Sequence, residues 1–195
     1  MTDELKPGIN TGITDAAPPL GGWVAGGETG AAPVTLEASG QFDPYLQEEE
    51  SQITAPGNNW ILDTSACVTF SGTNVIETLL TRLRSKGLLP ATHEAFLKDN
   101  GYVNPQSGKV NFSDRFTAKM SGTTKSGNSL GNVWESMRLL HGLLPQADWQ
   151  WPDLSDIQGD ANYDARFARF YADIPQTLQA KAKKFLDYFD ISYQW

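Results

Sequence analysis

The stretch that decides the fold reads TSACVTFSGTNVIETLLTRLRSKG and covers residues 64–87. Its apolar side chains recur three to four positions apart, which is the period of an α-helix with one buried face. They are Val68, Val75, Ile76, Leu79, Leu80 and Leu83. Thr64 or Ser65 can cap the start of this helix, and Gly87 suits its end. The pattern predicts one long helix with Cys67 in its first turn.

The helical period returns in shorter segments downstream. We expect a short helix near residues 93–98 and another that Ser113 caps. Asn128 or Ser129 can open a further helix, and Gly142 can close it. Its apolar face would consist of Leu130, Val133, Trp134, Met137 and Leu140.

The C-terminal part predicts two more helices and a strand. One helix covers about residues 163–172, and Pro175 suits the first turn of another that runs to about residue 189. Residues 190–195 alternate in polarity like the start of a strand, with no partner strand after it. The fold class is therefore predicted to be mainly α.

The first third of the chain differs in composition. Glycine and proline interrupt residues 1–57 too often for a helix or strand. Residues 1–59 hold nine acidic residues and one lysine, which account for the whole net charge of −8. Such a segment cannot bury enough apolar surface to offset its ordering entropy. We therefore interpret residues 1–57 as an extended, irregular arm and residues 58–195 as the folded domain.

Isolated aromatic residues indicate how the arm could be held. Trp23, Phe42 and Tyr45 stand among small and polar residues, which suits anchors that enter separate pockets on a partner surface. We expect other protein subunits of a larger assembly, including copies of this chain, to bind the arm. The run from Glu48 to Glu50 fits either an acidic docking patch or an ordinary solvated charge cluster.

The composition argues against several functions. Net charge −8 disfavours binding to nucleic-acid phosphates, and no apolar run approaches the roughly 20 residues that span a bilayer. The N-terminus lacks the pattern of a secretory signal, and a single cysteine allows no internal disulfide. Two histidines and one cysteine fit no zinc pattern, so we expect neither a metal nor a cofactor.

Cys67 is the residue whose position most favours chemical reactivity. Unpaired backbone N–H groups in the first turn of a helix stabilise negative charge, which favours a nucleophilic thiolate and could support an oxyanion. The alternative is a buried structural cysteine, because free cysteine is among the most buried residue types. Position alone leaves both interpretations open.

The sequence around Cys67 resembles the central helix of papain-like cysteine peptidases. The resemblance lies in Cys67-Val68-Thr69-Phe70-Ser71-Gly72 followed by Ile76-Glu77, and later elements follow the family's order. They are Asn111-Phe112-Ser113-Asp114-Arg115-Phe116, Gly127-Asn128-Ser129-Leu130, His141-Gly142-Leu143-Leu144-Pro145 and Trp149-Gln150-Trp151-Pro152. The chain also resembles papain-like segments of tailed-bacteriophage proteins. The resemblance implies the helical half of that fold, with Cys67 in the nucleophile position.

The departures from the family are as informative. Ile61 stands where the family has its oxyanion-hole glutamine, and Val68 stands where it has an aromatic residue. The family's catalytic histidine belongs to a second, β-rich half that lies outside these 195 residues. His93 fits a surface residue, and His141 fits a cation at the end of a helix.

Two hypotheses follow from the sequence. The first is a structural component of a tailed-phage virion, assembled in the host cytoplasm, with the tail weakly preferred and a catalytically incomplete papain-like domain. The second is a cysteine peptidase or amidase whose histidine-bearing half comes from another chain. Trp149 and Trp151 fit either loop anchors or a ligand platform.

Overall fold

The computed structural model describes residues 8–10, 43–45 and 62–192. The described part is mainly helical, which confirms the predicted fold class. Its helices are α1 (Cys67–Ser85), α2 (Ala91–Asp99), α3 (Asp114–Met120), α4 (Leu130–Glu135), α5 (Tyr163–Phe170) and α6 (Gln176–Lys183). A π-helix (Ser136–Leu140) continues α4, and short 3₁₀ turns occur at Asp43–Tyr45, Gln146–Asp148, Asp160–Asn162 and Lys184–Asp187.

Two short strands complete the described structure. Strand β2 (Asp190–Ser192) pairs in parallel with β1 (Gly8–Asn10), and Ile191 lies opposite Ile9. The strand predicted at the C-terminal end is therefore present, and its partner comes from the beginning of the chain. Most of the predicted arm lies outside the described residues.

Helix α1 lies at the centre of the domain, and its ends follow local sequence signals. Gly87, at φ +65°, allows the closing bonds from its own N–H to the Arg84 carbonyl and from the Leu88 N–H to the Leu83 carbonyl. The predicted caps Thr64 and Ser65 are wrong, because Ala66 holds the N-cap position. Val75, predicted on the apolar face, is exposed.

The buried face of α1 includes polar residues that the apolar pattern did not reveal. Thr69, Thr73, Glu77 and Thr81 follow one another at four-residue intervals, and all four are buried. We call them the polar stripe of α1.

The polar stripe binds an extended segment, residues 110–114. The Thr81 hydroxyl accepts the Val110 N–H at 2.9 Å, and the Glu77 carboxylate accepts the Phe112 N–H at 2.6 Å. The Thr73 hydroxyl donates to the Asp114 carboxylate. Four residues of helix rise about 6.0 Å and two residues of extended chain span about 6.6 Å, so the two repeats match. This match lets an extended segment lie along a helix with its backbone N–H groups satisfied.

Side-chain caps fix the beginnings of the next two helices. The hydroxyl of Ser113 accepts the Phe116 N–H, and the hydroxyl of Ser129 accepts the Asn132 N–H, as the sequence predicted. The helix predicted to run from Pro175 to about residue 189 is shorter, because α6 ends at Lys183 and a 3₁₀ turn follows.

The π-helix changes which residues of the α4 segment face the core. The His141 N–H bonds to the Ser136 carbonyl five residues earlier, at 2.8 Å. Met137 is fully buried, as predicted. Leu140 is exposed, so its predicted place on the apolar face is wrong. The extra residue in the turn carries Leu140 out of phase with the face that Val133 and Met137 define.

Glycine at position 142 is required by close packing as well as by its backbone angle. Gly142 has φ +71°, and a Cβ there would lie 2.3 Å from the Ala182 carbonyl oxygen. Gly122 has a similar φ of +79°, but a Cβ there would meet nothing within 4 Å. We expect Gly122→Ala to cost about 1–2 kcal/mol of stability from backbone strain.

Gly142→Ala should cost a further 1–3 kcal/mol or so, because backbone atoms of α6 must move. Urea denaturation of both variants measures the difference. Equal losses would show that the contact between Gly142 and α6 is not tight.

The hydrogen bonds of the polar stripe lead to a second prediction about stability. Thr81 and Thr78 are buried to the same degree, with 6% and 8% of their surface exposed. The Thr81 hydroxyl satisfies the Val110 N–H, whereas the Thr78 hydroxyl makes no hydrogen bond within residues 62–192. Thr81→Val should cost about 1–3 kcal/mol because it removes the hydroxyl that accepts a buried N–H. Thr78→Val should change stability by less than about 0.5 kcal/mol, and the reverse order would contradict the bonding described.

Candidate functional site around Cys67

Cys67 is the first residue of α1, and its side chain is exposed. Its exposure rules out the alternative of a buried structural cysteine. Ala66 provides no side-chain cap, and its carbonyl accepts the N–H groups of Thr69 and Phe70. Within residues 62–192, the N–H groups of Cys67 and Val68 have no hydrogen-bond partner. Two donors and a thiol therefore meet at the start of the longest helix.

The backbone before Cys67 takes a turn that is rare for a residue other than glycine. Ser65 has φ +57°. Its N–H bonds to the Asp63 carboxylate at 2.8 Å, and its hydroxyl donates to the Lys125 carbonyl at 3.1 Å. A residue in this region costs about 1–3 kcal/mol and persists only when its surroundings hold it. The turn at residues 124–127 therefore fixes the approach of the chain to Cys67.

Helix α5 encloses the same end of α1. The Tyr163 hydroxyl donates to the Asp63 carbonyl at 2.8 Å, and the Tyr171 hydroxyl donates to the Thr64 carbonyl at 2.7 Å. Burial raises the pKa of Tyr171 well above its usual range, so it stays a neutral donor. Lys125 lies over the Tyr163 ring and pairs with Asp164. Its ammonium group is thus committed to a carboxylate.

His93 lies at the other end of the molecule from Cys67. Its ring packs edge-on against Phe189, with 5.0 Å between the ring centres. Its neighbour Glu94 joins α2 to Arg84 at 2.8 Å, near the C-terminal end of α1. Arg84 follows Cys67 by 17 residues, so about 25 Å of helix separates them. The predicted surface position is only partly correct, because His93 is half-buried where α2 meets the C-terminal segment.

His141 follows the π-helix and lies beside α6. Burial and the positive charge of Lys183 both lower the pKa of His141. We expected the helix end to stabilise a charged His141. This expectation is wrong, because desolvation and a nearby lysine disfavour the charged ring and lower its pKa. Neither histidine shares a hydrogen bond, ion pair or ring contact with Cys67 among the described residues.

Trp149 and Trp151 anchor their loop to the domain, which confirms that interpretation. The Trp151 ring packs edge-on against Phe170 at 4.7 Å, and the Arg115 guanidinium lies 4.4 Å from the centre of the Trp149 ring. Their side chains therefore serve packing in the described structure.

Arg115 is a residue whose role the sequence did not reveal. Its guanidinium donates to the carbonyls of Phe170, Gln150 and Arg169 at 2.6 to 2.8 Å. Phe170 and Arg169 belong to the last turn of α5, so Arg115 adds donors where the helix leaves carbonyls without intrahelical partners. Burial lowers the pKa of Arg115 to about 10, which leaves it charged at neutral pH. An arginine in the first turn of a short helix carries no sequence signal for such a role.

Of the three predicted partner-binding residues, only Tyr45 belongs to the part of the chain that the structure describes. Trp23 and Phe42 lie outside the described residues. Tyr45 lies against α1, where it lines a cavity of about 240 Å³ together with Arg84 and Lys109. Ile61, at the family's glutamine position, also lies outside the described residues.

Two other kinds of site are absent from the described residues. No group of three or more His, Cys, Asp or Glu side chains is arranged to hold a metal ion among them. No helix in the described part is long and apolar enough to cross a membrane.

The fold and site define a mainly helical protein with an exposed cysteine at the start of its longest helix. Comparison with protein-family models, with curated proteins and with solved structures finds no match.

The environment of His141 predicts a dependence of stability on pH. Its folded-state pKa is lowered, so the unfolded chain takes up this proton first as the pH falls. The resulting loss of stability begins near pH 6.5, the ordinary histidine pKa, and is absent above it. Between pH 7 and pH 5, wild type should lose more unfolding free energy than His141→Gln. Lys183→Gln should show an intermediate loss, and identical pH profiles for wild type and His141→Gln would contradict this account.

Proposed function

We propose that this chain is a structural subunit of a large assembly, a tailed-phage virion, with a catalytically incomplete papain-like half-domain. The observation that carries the proposal is the placement of the chain's two histidines. His93 packs on Phe189, and His141 lies beside Lys183, so neither serves the thiol of Cys67.

Cysteine peptidases need a base within hydrogen-bonding reach of the thiol, about 2.6–3.2 Å in a formed site. The Asp63 carboxylate beside Cys67 accepts the Ser65 N–H, and the Lys125 ammonium pairs with Asp164. On this proposal, Cys67 occupies a nucleophile position without its base.

Contacts between separate motifs support the papain-like half-domain. Glu77 comes from the motif that follows Cys67, and Asp114 comes from the second motif of the resemblance. Both are buried, and both bond along the polar stripe, where Glu77 holds Phe112 and Asp114 accepts from Thr73. Residues that carried the resemblance thus pack against one another around α1.

The acidic first third supports a role in assembly. It holds the whole net charge, and its aromatic residues stand apart from one another. Two short pieces of it, Gly8–Asn10 and Asp43–Tyr45, lie against the chain's own domain. The remainder would bind neighbouring subunits, as the proposed virion role requires.

A second candidate function is a cysteine peptidase or amidase completed by another chain. The exposure of Cys67 at an uncapped helix start favours it, and so does the strained backbone at Ser65. The two N–H donors at residues 67 and 68 could hold an oxyanion once a partner supplied a histidine.

The experiment that separates the two functions is the pH–rate profile of Cys67 alkylation by iodoacetamide. We expect the profile of the chain in its assembly to match that of the purified chain, because the proposal brings no base from a neighbouring subunit to the thiol. Cys67→Ser controls for other reactive groups. A profile shifted to lower pH in the assembly would contradict the structural proposal and support a base from a neighbouring chain.

Particle composition tests the assembly itself. Quantitative mass spectrometry of purified phage particles from a host that produces this chain should find it at a fixed number of copies per particle. Its absence from the particles would refute the proposed virion role, whatever the reactivity of Cys67.

A further inference from the structure

Two adjacent leucines project from the domain at the π-helix. Leu139 and Leu140 have 53% and 57% of their surface exposed. Single exposed apolar residues are ordinary on protein surfaces, whereas a neighbouring pair marks a candidate contact. The π-helix produces this pair, because its wide turn keeps Met137 in the core and directs the next leucines outward.

The end of α6, which carries Lys183 and is followed by Lys184, packs against Gly142, two residues after Leu140. Gly142 packs so closely on α6 that an added Cβ would lie 3.3 Å from the Lys183 Cα. Lys183 and Lys184 are exposed. Neither makes an ion pair with another described residue, whereas Lys181 pairs with Asp148 at 2.6 Å. We call Leu139, Leu140, Lys183 and Lys184 the π-turn surface.

The charge distribution of the chain indicates what this surface binds. Residues 1–59 carry all of the net charge of −8, and residues 60–195 are neutral overall. The densest acidic run, from Glu48 to Glu50, follows Leu46 closely. One apolar side chain and three carboxylates complement two leucines and two lysines. Opposite charges across an interface steer association and fix its register.

We propose that the π-turn surface binds the acidic arm of a second copy of this chain, with residues 46–50 as the contacting segment. This inference rests on the proposed function, since it identifies the surface through which the arm joins neighbouring subunits. A row of copies would then form with each arm on the next domain, which is a head-to-tail contact that can close into a ring or extend.

The test is the self-association of the full chain, followed by sedimentation velocity over a range of concentrations. We expect the wild type to associate, and to associate less as salt rises from about 0.05 to 0.5 M. Leu139→Asp with Leu140→Asp, or Lys183→Glu with Lys184→Glu, should weaken association at least tenfold or so. A control is Leu88→Asp with Lys86→Glu, because both residues follow the C-terminal end of α1 instead of the π-helix and Leu88 is 63% exposed.

A charge exchange identifies the segment that binds. Glu48→Lys, Glu49→Lys and Glu50→Lys together should weaken association of the wild-type domain. Combining them with Lys183→Glu and Lys184→Glu should restore it, which a general effect of net charge would not do. Circular dichroism and urea denaturation establish that each variant is folded.

Three outcomes would overturn the inference: a monomer at every concentration, equal weakening by the Leu88 control, or no restoration by the charge exchange. If the chain is nevertheless found at fixed stoichiometry in phage particles, the proposed function stands and the arm binds a different subunit. If it associates as expected but is absent from particles, the docking surface stands and the virion role fails.

Discussion

The hydrogen bonds between the polar stripe of α1 and residues 110–114 hold the rest of the domain in place. The Asn111 and Ser113 N–H groups bond to neighbouring extended chain, whereas the alternate N–H groups of the segment face α1. A buried N–H left unpaired would cost about 1–3 kcal/mol. Thr81 and Glu77 supply the acceptors at the spacing that the segment needs. The segment leads directly into α3, so its position sets where Arg115 stands and hence where α5 and the tryptophan loop lie.

The fold was predictable from the sequence where a local signal decides the structure. Ser113 and Ser129 cap their helices because a hydroxyl can satisfy N–H groups three residues on, whatever surrounds it. The prediction failed where distant contacts decide. Leu140 obeys the helical period, but the π-helix moves it out of phase. The pairing of β2 with β1 joins residues more than 180 positions apart, which no periodicity records.

The candidate site shows the same division between local and distant causes. The place of Cys67 in the first turn follows from the start of the apolar period and was predictable. The backbone angle of Ser65 depends on the turn around Lys125, which is 60 residues away, and was not. The two histidines are further examples. The sequence indicated a surface position for His93 and a helix-end position for His141. Their environments arise from the C-terminal segment and α6, which pack against them from elsewhere in the chain.

A rigid helix start and an exposed thiol do not require catalysis. Both can occur in a structural protein, because the hydrogen bonds that hold the turn before Cys67 also stabilise the fold. The strain at Ser65 is offset by hydrogen bonds beside a buried apolar cluster that includes Phe70 and Tyr171. The turn therefore contributes to the fold whether or not Cys67 reacts. A base delivered by a neighbour would meet an exposed thiol at the start of α1. The geometry around Cys67 therefore follows from packing, and any chemistry there would depend on what the assembly places beside it.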